Sequence, residues 1–123
     1  MKNPDDSFLK GRLRSLRFAL RGAWLLLITE HSIMMQISIG VLVTILGFFV
    51  HLSSTEWIFQ FLAIGIVLVA ESLNTAIEKL CDFIHPDYHK KIGFIKDISA
   101  GAAAFAAIIA ILIGFLIYIP KFI

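Results

Sequence analysis

Two stretches of this chain fix its class of fold before anything else is read. Ile33 to Val50 runs eighteen residues without a charge, and Ile98 to Ile119 runs twenty-two. At a rise of 1.5 Å per residue the shorter one makes a helix about 27 Å long, close to the thickness of bilayer hydrocarbon. Inside lipid a backbone must satisfy its own hydrogen bonds, so such segments cross as helices. Composition agrees. Apolar residues make up 59% of the chain and charged ones 16%, with a mean hydropathy of +0.87, against roughly half and a quarter in soluble domains. At 123 residues a single domain, 1–123, is expected.

A third crossing lies between these two. Trp57 opens a run that is uncharged to Ala70, meets Glu71, and keeps a helical pattern to about Ile84. His51 to Glu56 is polar enough for a tight turn, with Ser54 or Thr55 placed to cap the next helix. The stretch from His85 to Gly93 carries Pro86 and Gly93 among charged residues and histidines, so it predicts a break and a polar loop. The small residues of Ser99 to Ala107 allow close helix approach. Spans are therefore expected at about 33–51, 56–84 and 96–119. Before them, Leu9, Leu13, Leu16, Leu20, Trp24 and Leu27 recur at spacings of three and four. Lys10, Arg14, Arg17 and Arg21 follow one residue behind, which describes an amphipathic helix over about 7–29 lying in the headgroup plane. The expected fold is thus all-α and integral to the membrane, with three transmembrane helices and an N-terminal amphipathic surface helix.

Charge placement predicts the orientation. Six of the eleven Lys and Arg residues precede Glu30 and four lie between Lys79 and Lys96, while the His51 to Glu56 turn has none. The positive-inside rule then puts the N-terminus and the second loop on the cytoplasmic side of an inner membrane, with the C-terminus outside. Met1 to Glu30 mixes basic and apolar residues throughout, which predicts that no signal peptide is cleaved. The one cysteine, Cys81, excludes an internal disulfide.

The charges inside the second span point to function. Glu71, Asn74, Glu78 and Asp82 are spaced by three, four and four, which gathers them on one helical face within roughly 80°. Glu71 lies about 10 Å deeper than Glu78, and a carboxylate at such depth is costly unless paired, hydrated or protonated. Glu30, Lys96 and Asp97 stand just before the first and third spans, so a hairpin bundle brings them to the same interface as Glu78 and Asp82. Hard carboxylate oxygens suit Mg²⁺ with phosphate, and a neighbouring lysine suits nucleotide phosphates. Together they suggest phosphoryl transfer at the membrane surface, with a desolvated carboxylate accepting a proton from a lipid hydroxyl. The bland alternative is that Asn74 and Glu78 only join helices by hydrogen bonds. A third reading makes Glu71 the relay of a proton-conducting protein, but the apolar third span offers no partner acids. No Walker-type glycine loop is present. Cys81, His85 and His89 have helical zinc-ligand spacing, which Pro86 spoils.

The segment Glu71-Ser-Leu-Asn-Thr-Ala-Ile-Glu78 with Asp82, and the segment Lys96-Asp97-Ile-Ser-Ala-Gly-Ala102, resemble the two signatures of the prokaryotic diacylglycerol kinases, a family that includes the undecaprenol kinases. Arg17-Phe-Ala-Leu-Arg-Gly22 and Glu30 are similar to that family's surface helix and the acid that follows it. Ile95 replaces the usual alanine before Lys96, and Gln36 stands where Gram-negative members have a further glutamate. The resemblance implies that Glu71 is the catalytic base, supported by Asn74, and that Glu30 and Glu78 hold Mg²⁺ with ATP. It further implies that Lys96 and Asp97 contact nucleotide, that Asp87, Tyr88 and His89 lie over it, and that Phe18 touches adenine. Membrane lipid and ATP are the partners it implies, in a homotrimer with active sites shared between subunits, and no nucleic acid is among them. The lipid is diacylglycerol or undecaprenol.

Overall fold

The computed structural model describes Pro4 and residues 7–123, and those residues form helices only. In chain order they are α1 (Phe8–Thr29), α2 (His31–Phe49), α3 (Ser54–Ile84) and α4 (Lys90–Phe122). α2, α3 and α4 are long and apolar enough to cross a membrane. With the amphipathic α1, this is the architecture the sequence predicts. α3 and α4, at 31 and 33 residues, are about 46 and 50 Å long, so each outruns the ~30 Å hydrocarbon layer by several turns.

α1 starts at Ser7, whose hydroxyl accepts from the Lys10 N–H at 3.3 Å. None of its residues is buried, and Leu9, Leu13, Leu16 and Leu20 are all exposed. Among the described residues its apolar stripe is therefore left uncovered, as suits a helix resting on lipid. Glu30 alone, in extended conformation, separates α1 from α2.

The turn between α2 and α3 is tightly specified. The Leu52 N–H bonds the Gly47 carbonyl at 3.2 Å while His51 takes a left-handed φ of 57°, the Schellman ending in which the residue after the cap is usually glycine. Gly47 is required for close approach. A Cβ there would lie 2.8 Å from the Trp57 ring and 2.9 Å from Leu52. The cap of α3 is Ser53, one residue before the expected Ser54 or Thr55. The Ser53 hydroxyl accepts from the Glu56 N–H, and the Glu56 carboxylate accepts from the Ser53 N–H, a reciprocal pair that needs an acid three residues after the cap.

α4 extends beyond the expected span at both ends. It begins at Lys90, capped by His89, so the loop is only 85–89 and Lys96 and Asp97 sit inside a helix. Gly93 lowers helix propensity by about 1 kcal/mol without breaking the hydrogen-bond ladder, and its N–H bonds the His89 carbonyl at 2.9 Å. Pro86 is the real stop. At the other end the helix passes Pro120 to Phe122, because a proline in the last turn removes only one of the final hydrogen bonds.

α3 packs most extensively on α4 and less on α2. Asp82 faces Lys96, Gln60 faces Tyr118 and Glu56 faces Lys121, so α3 and α4 run antiparallel in constant register. That register sets Ala107 level with Glu71. Small buried residues, Ala63, Ala103 and Ala106, let the helices approach.

Candidate active site at the basic end of the bundle

From Glu71 onward α3 has no glycine or proline until Pro86, so the acidic stripe rides on uninterrupted helix. Val67 and Thr75, one turn to either side of Glu71, are both buried, and Glu71 itself is half-buried. It therefore stands on the packed face, whereas Glu78 and Asp82, farther along the stripe, are exposed. Depth separates the carboxylates into two kinds. Glu71 is partly removed from solvent, and the others are within reach of aqueous ions.

Asn74 lies between them. Its Nδ2 donates to Glu78 Oε1 at 3.3 Å, while its Oδ1 is buried with no hydrogen-bond partner. A buried acceptor without a donor costs roughly 1–3 kcal/mol, so its place beside the acids calls for an explanation. Ser99 Oγ on α4 is likewise buried and unpartnered.

Glu30 reaches this end from the α1–α2 junction. Lys79 Nζ lies 3.1 Å from Glu30 Oε1, which ties that junction to the residue next to Glu78. Lys96 Nζ pairs with Asp82 Oδ1 at 2.5 Å. Thus Glu30 at the α1–α2 junction, Asn74, Glu78, Lys79 and Asp82 on α3, and Lys96 on α4 lie at one end of the bundle, linked by two ion pairs and the Asn74–Glu78 hydrogen bond, and Lys79 is the member that sequence reasoning did not single out. Its signal was available: it follows Glu78 directly.

The remaining expected residues are exposed. Asp97 and Phe18 are exposed, and Tyr88 is 88% exposed, resting near Gly93, where an added Cβ would meet its ring at 3.6 Å. The short loop is nonetheless ordered by its histidines. The His85 ring nitrogen Nδ1 lies 2.7 Å from the Asp87 carbonyl, and His89 Nδ1 accepts from the Lys91 N–H at 3.0 Å. Among the described residues no three His, Cys, Asp or Glu side chains converge as a metal cage. Glu30, between α1 and α2, and Glu78, on α3, suit another mode, in which Mg²⁺ would take one or two protein oxygens and its remaining ligands from phosphate and water.

A second polar group was missed altogether. Gln60, 4% exposed, donates from Nε2 to the Val43 carbonyl at 3.3 Å. The Tyr118 hydroxyl lies 2.9 Å from the same carbonyl and also hydrogen-bonds Gln60 Oε1. One glutamine and one tyrosine so link all three long helices at the end away from the acids.

Comparison with known proteins is consistent with this arrangement. The model of the prokaryotic diacylglycerol kinase family matches residues 17–118, from the middle of α1 to the last turns of α4. The chain is 40% identical over 108 residues to the undecaprenol kinase of Bacillus subtilis, covering 88% of each protein. It is 30% identical over 109 residues to the diacylglycerol kinase of Synechocystis, covering 88% of this chain and 62% of that one. To the diacylglycerol kinase of Escherichia coli K12 it is 27% identical over 93 residues, 76% of this chain and 74% of the other. Acidic stripe, Lys96-Asp97 pair and the second half of the surface helix fall inside the matched region, and the chain belongs to the prokaryotic diacylglycerol kinase family of membrane-integral kinases.

Proposed function

We propose that this protein, as one membrane domain over 1–123, transfers the γ-phosphoryl group of ATP to the primary hydroxyl of a membrane lipid, with undecaprenol as the main acceptor. The observation that carries the reading is the half-buried Glu71 beneath a shallower layer of carboxylates and lysines, with the unpartnered Asn74 Oδ1 between them. A lipid hydroxyl approaching from the bilayer meets Glu71 first, and a nucleotide approaching from water meets Glu30, Glu78 and Lys96. Orientation follows the basic residues, with this end and the N-terminus on the cytoplasmic face of the inner membrane.

Glu71 takes the hydroxyl proton as the alcohol oxygen bonds the γ-phosphorus, and the bond from that phosphorus to the bridging oxygen breaks, releasing ADP. Glu30 and Glu78 would hold Mg²⁺, which would supply neutralisation of phosphate charge when bound. Asn74 orients Glu78 through its amide N–H and offers Oδ1 to a donor on the bound reactants. Lys96, now paired with Asp82, exchanges that partner for phosphate oxygen, with Asp97 beside it. Phe18 and the Asp87-Tyr88-His89 loop supply exposed surfaces to cover the adenosine. So few side chains are buried in one chain that a homotrimer sharing sites between subunits completes the enclosure. Identity to the undecaprenol kinase favours that acceptor, and identity to two diacylglycerol kinases supports diacylglycerol as a second.

The test is purified protein in bilayers with labelled ATP, Mg²⁺ and a panel of lipid alcohols. Lipid phosphate should form, and Glu71→Gln should lower the rate by about 10²–10⁴-fold while helicity and thermal unfolding stay as in the parent. Full activity in Glu71→Gln would remove Glu71 from the role of base.

A further inference from the structure

α2 and α4 both pack on α3 and leave a groove of about 490 Å³ between them. Its walls are apolar apart from Gln36, Gln60 and Tyr118, and its two ends differ. Toward the turn between α2 and α3, the last groove residue on each helix is Val43, Gln60 and Tyr118 respectively. These are the three residues joined by the hydrogen bonds described above, so the groove is closed there by a polar bridge between its walls. Toward the basic end the walls begin at Gln36, Val67 and Ala107. Val67 is one turn from Glu71 on the same face, and Ala107 is level with it. The groove thus leads away from Glu71 for about 16 Å along α4 and ends blind.

We propose that this groove holds one hydrocarbon chain of the lipid alcohol, extending from the hydroxyl at Glu71 to the Val43–Gln60–Tyr118 bridge. The proposal rests on the lipid-kinase reading above. Its geometry selects this occupant over a helix from a second copy, because a spanning helix about 10–12 Å wide needs a path across the whole bilayer, and the bridge interrupts that path. An empty cavity of about 150 Å³ takes one benzene ring of six carbons. On that scale the groove takes on the order of twenty carbons, which is four isoprene units. Ile39, Ile111 and Phe115 on its rim are about half exposed, so the remainder of a longer chain leaves sideways into the bilayer.

Lipid tails are as apolar as the groove, so entry of the chain gains little from the hydrophobic effect. The groove acts through shape: it admits a single chain aligned with the hydroxyl and penalises one that does not fit. Gly114 is the place to test this. It lines the groove, and a Cβ added there meets nothing within 4 Å, so Gly114→Leu narrows the groove without straining the fold. Gly65 on α3 also has open space at its Cβ but lies outside the groove, and Gly65→Leu is the control.

The experiment measures kcat/KM in bilayers for alcohols of two, four and eleven isoprene units. Gly114→Leu should lower the value at least tenfold for the two longer alcohols relative to the shortest, and Gly65→Leu should leave the ratio unchanged. Equal loss on all three alcohols, or no loss, with the parent protein active throughout, overturns the groove assignment and leaves the kinase reading standing. No product from the parent protein with any alcohol overturns both. A second measurement needs no variant: a polyprenol carrying a diazirine in its fourth isoprene unit should label α4 between Gly114 and Tyr118. Labelling confined to α1 would overturn the proposal.

Discussion

The two ends of the bundle differ in how completely their buried polar groups are paired. At the turn between α2 and α3 every polar side chain that faces protein has a partner. Ser53 and Glu56 cap one another, Lys121 reaches Glu56 Oε1 at 2.9 Å, and Gln60, Tyr118 and the Val43 carbonyl bond together. At the basic end Asn74 and Ser99 each bury an oxygen with no partner, and Glu78 and Asp97 stand exposed. A polar group kept for structure is satisfied within the fold, because leaving it bare costs more than the bond returns. A polar group kept for chemistry is left ready for something that arrives later. The contrast separates structural from functional residues within one short chain.

The contrast makes a sharp demand: changes at the basic end should alter catalysis and spare stability, and changes at the turn should do the reverse. After the loss of Glu71, the largest expected effect is at Glu78. Glu78→Gln keeps the hydrogen bond from Asn74 but removes the negative charge, and it should raise the Mg²⁺ concentration for half-maximal rate by roughly a hundred-fold. Thermal unfolding should not move. A variant that melted early with unchanged Mg²⁺ dependence would make Glu78 a structural residue.

Gly47 is the corresponding probe at the other end. Gly47→Leu drives a side chain into the Trp57 ring and Leu52, where even a Cβ sits at 2.8 and 2.9 Å. Overpacking of this kind costs about 1–3 kcal/mol, to be read from denaturant titration in micelles. The rate per folded molecule should stay that of the parent, since the turn lies at the far end of the helices from Glu71.

The sequence made one of these ends far more legible than the other. Three crossings and a surface helix followed from uncharged runs and a three-four leucine rhythm, and the acidic stripe followed from spacing on one helix. Both are local patterns, and helical geometry converts them directly into faces. The loop after α3 ends at His89 and not at Gly93 as the sequence suggests, because glycine does not break a helix as proline does: only proline both lacks the N–H and clashes with the preceding turn. Gln60 and Tyr118 were passed over because each looks innocuous alone within an apolar run. Their meaning lies in being 58 residues apart and abreast, which only the α3–α4 register supplies. Lys79 belongs with them, since its partner Glu30 lies far off in sequence, at the junction of α1 and α2.

The smallest expected effect tests whether the turn is satisfied as a unit or as separate bonds. Glu56 Oε1 receives both the Ser53 N–H at 2.9 Å and Lys121 Nζ at 2.9 Å, so the capping box and the ion pair share one atom. Ser53→Ala removes the hydroxyl that accepts from the Glu56 N–H and should cost about 1 kcal/mol. Lys121→Met removes a pair with both partners about three-quarters covered and should cost at most about 1 kcal/mol. If the carboxylate is held in place by both neighbours, losing either frees it to weaken the other contact. The double variant should then lose less than the two single losses added together, by roughly 0.5 kcal/mol. Strict additivity would mean that the cap and the ion pair act independently, and that the turn is stable through several unconnected contacts. In neither case should lipid phosphorylation change, because Glu56 and Lys121 lie a bundle's length from Glu78.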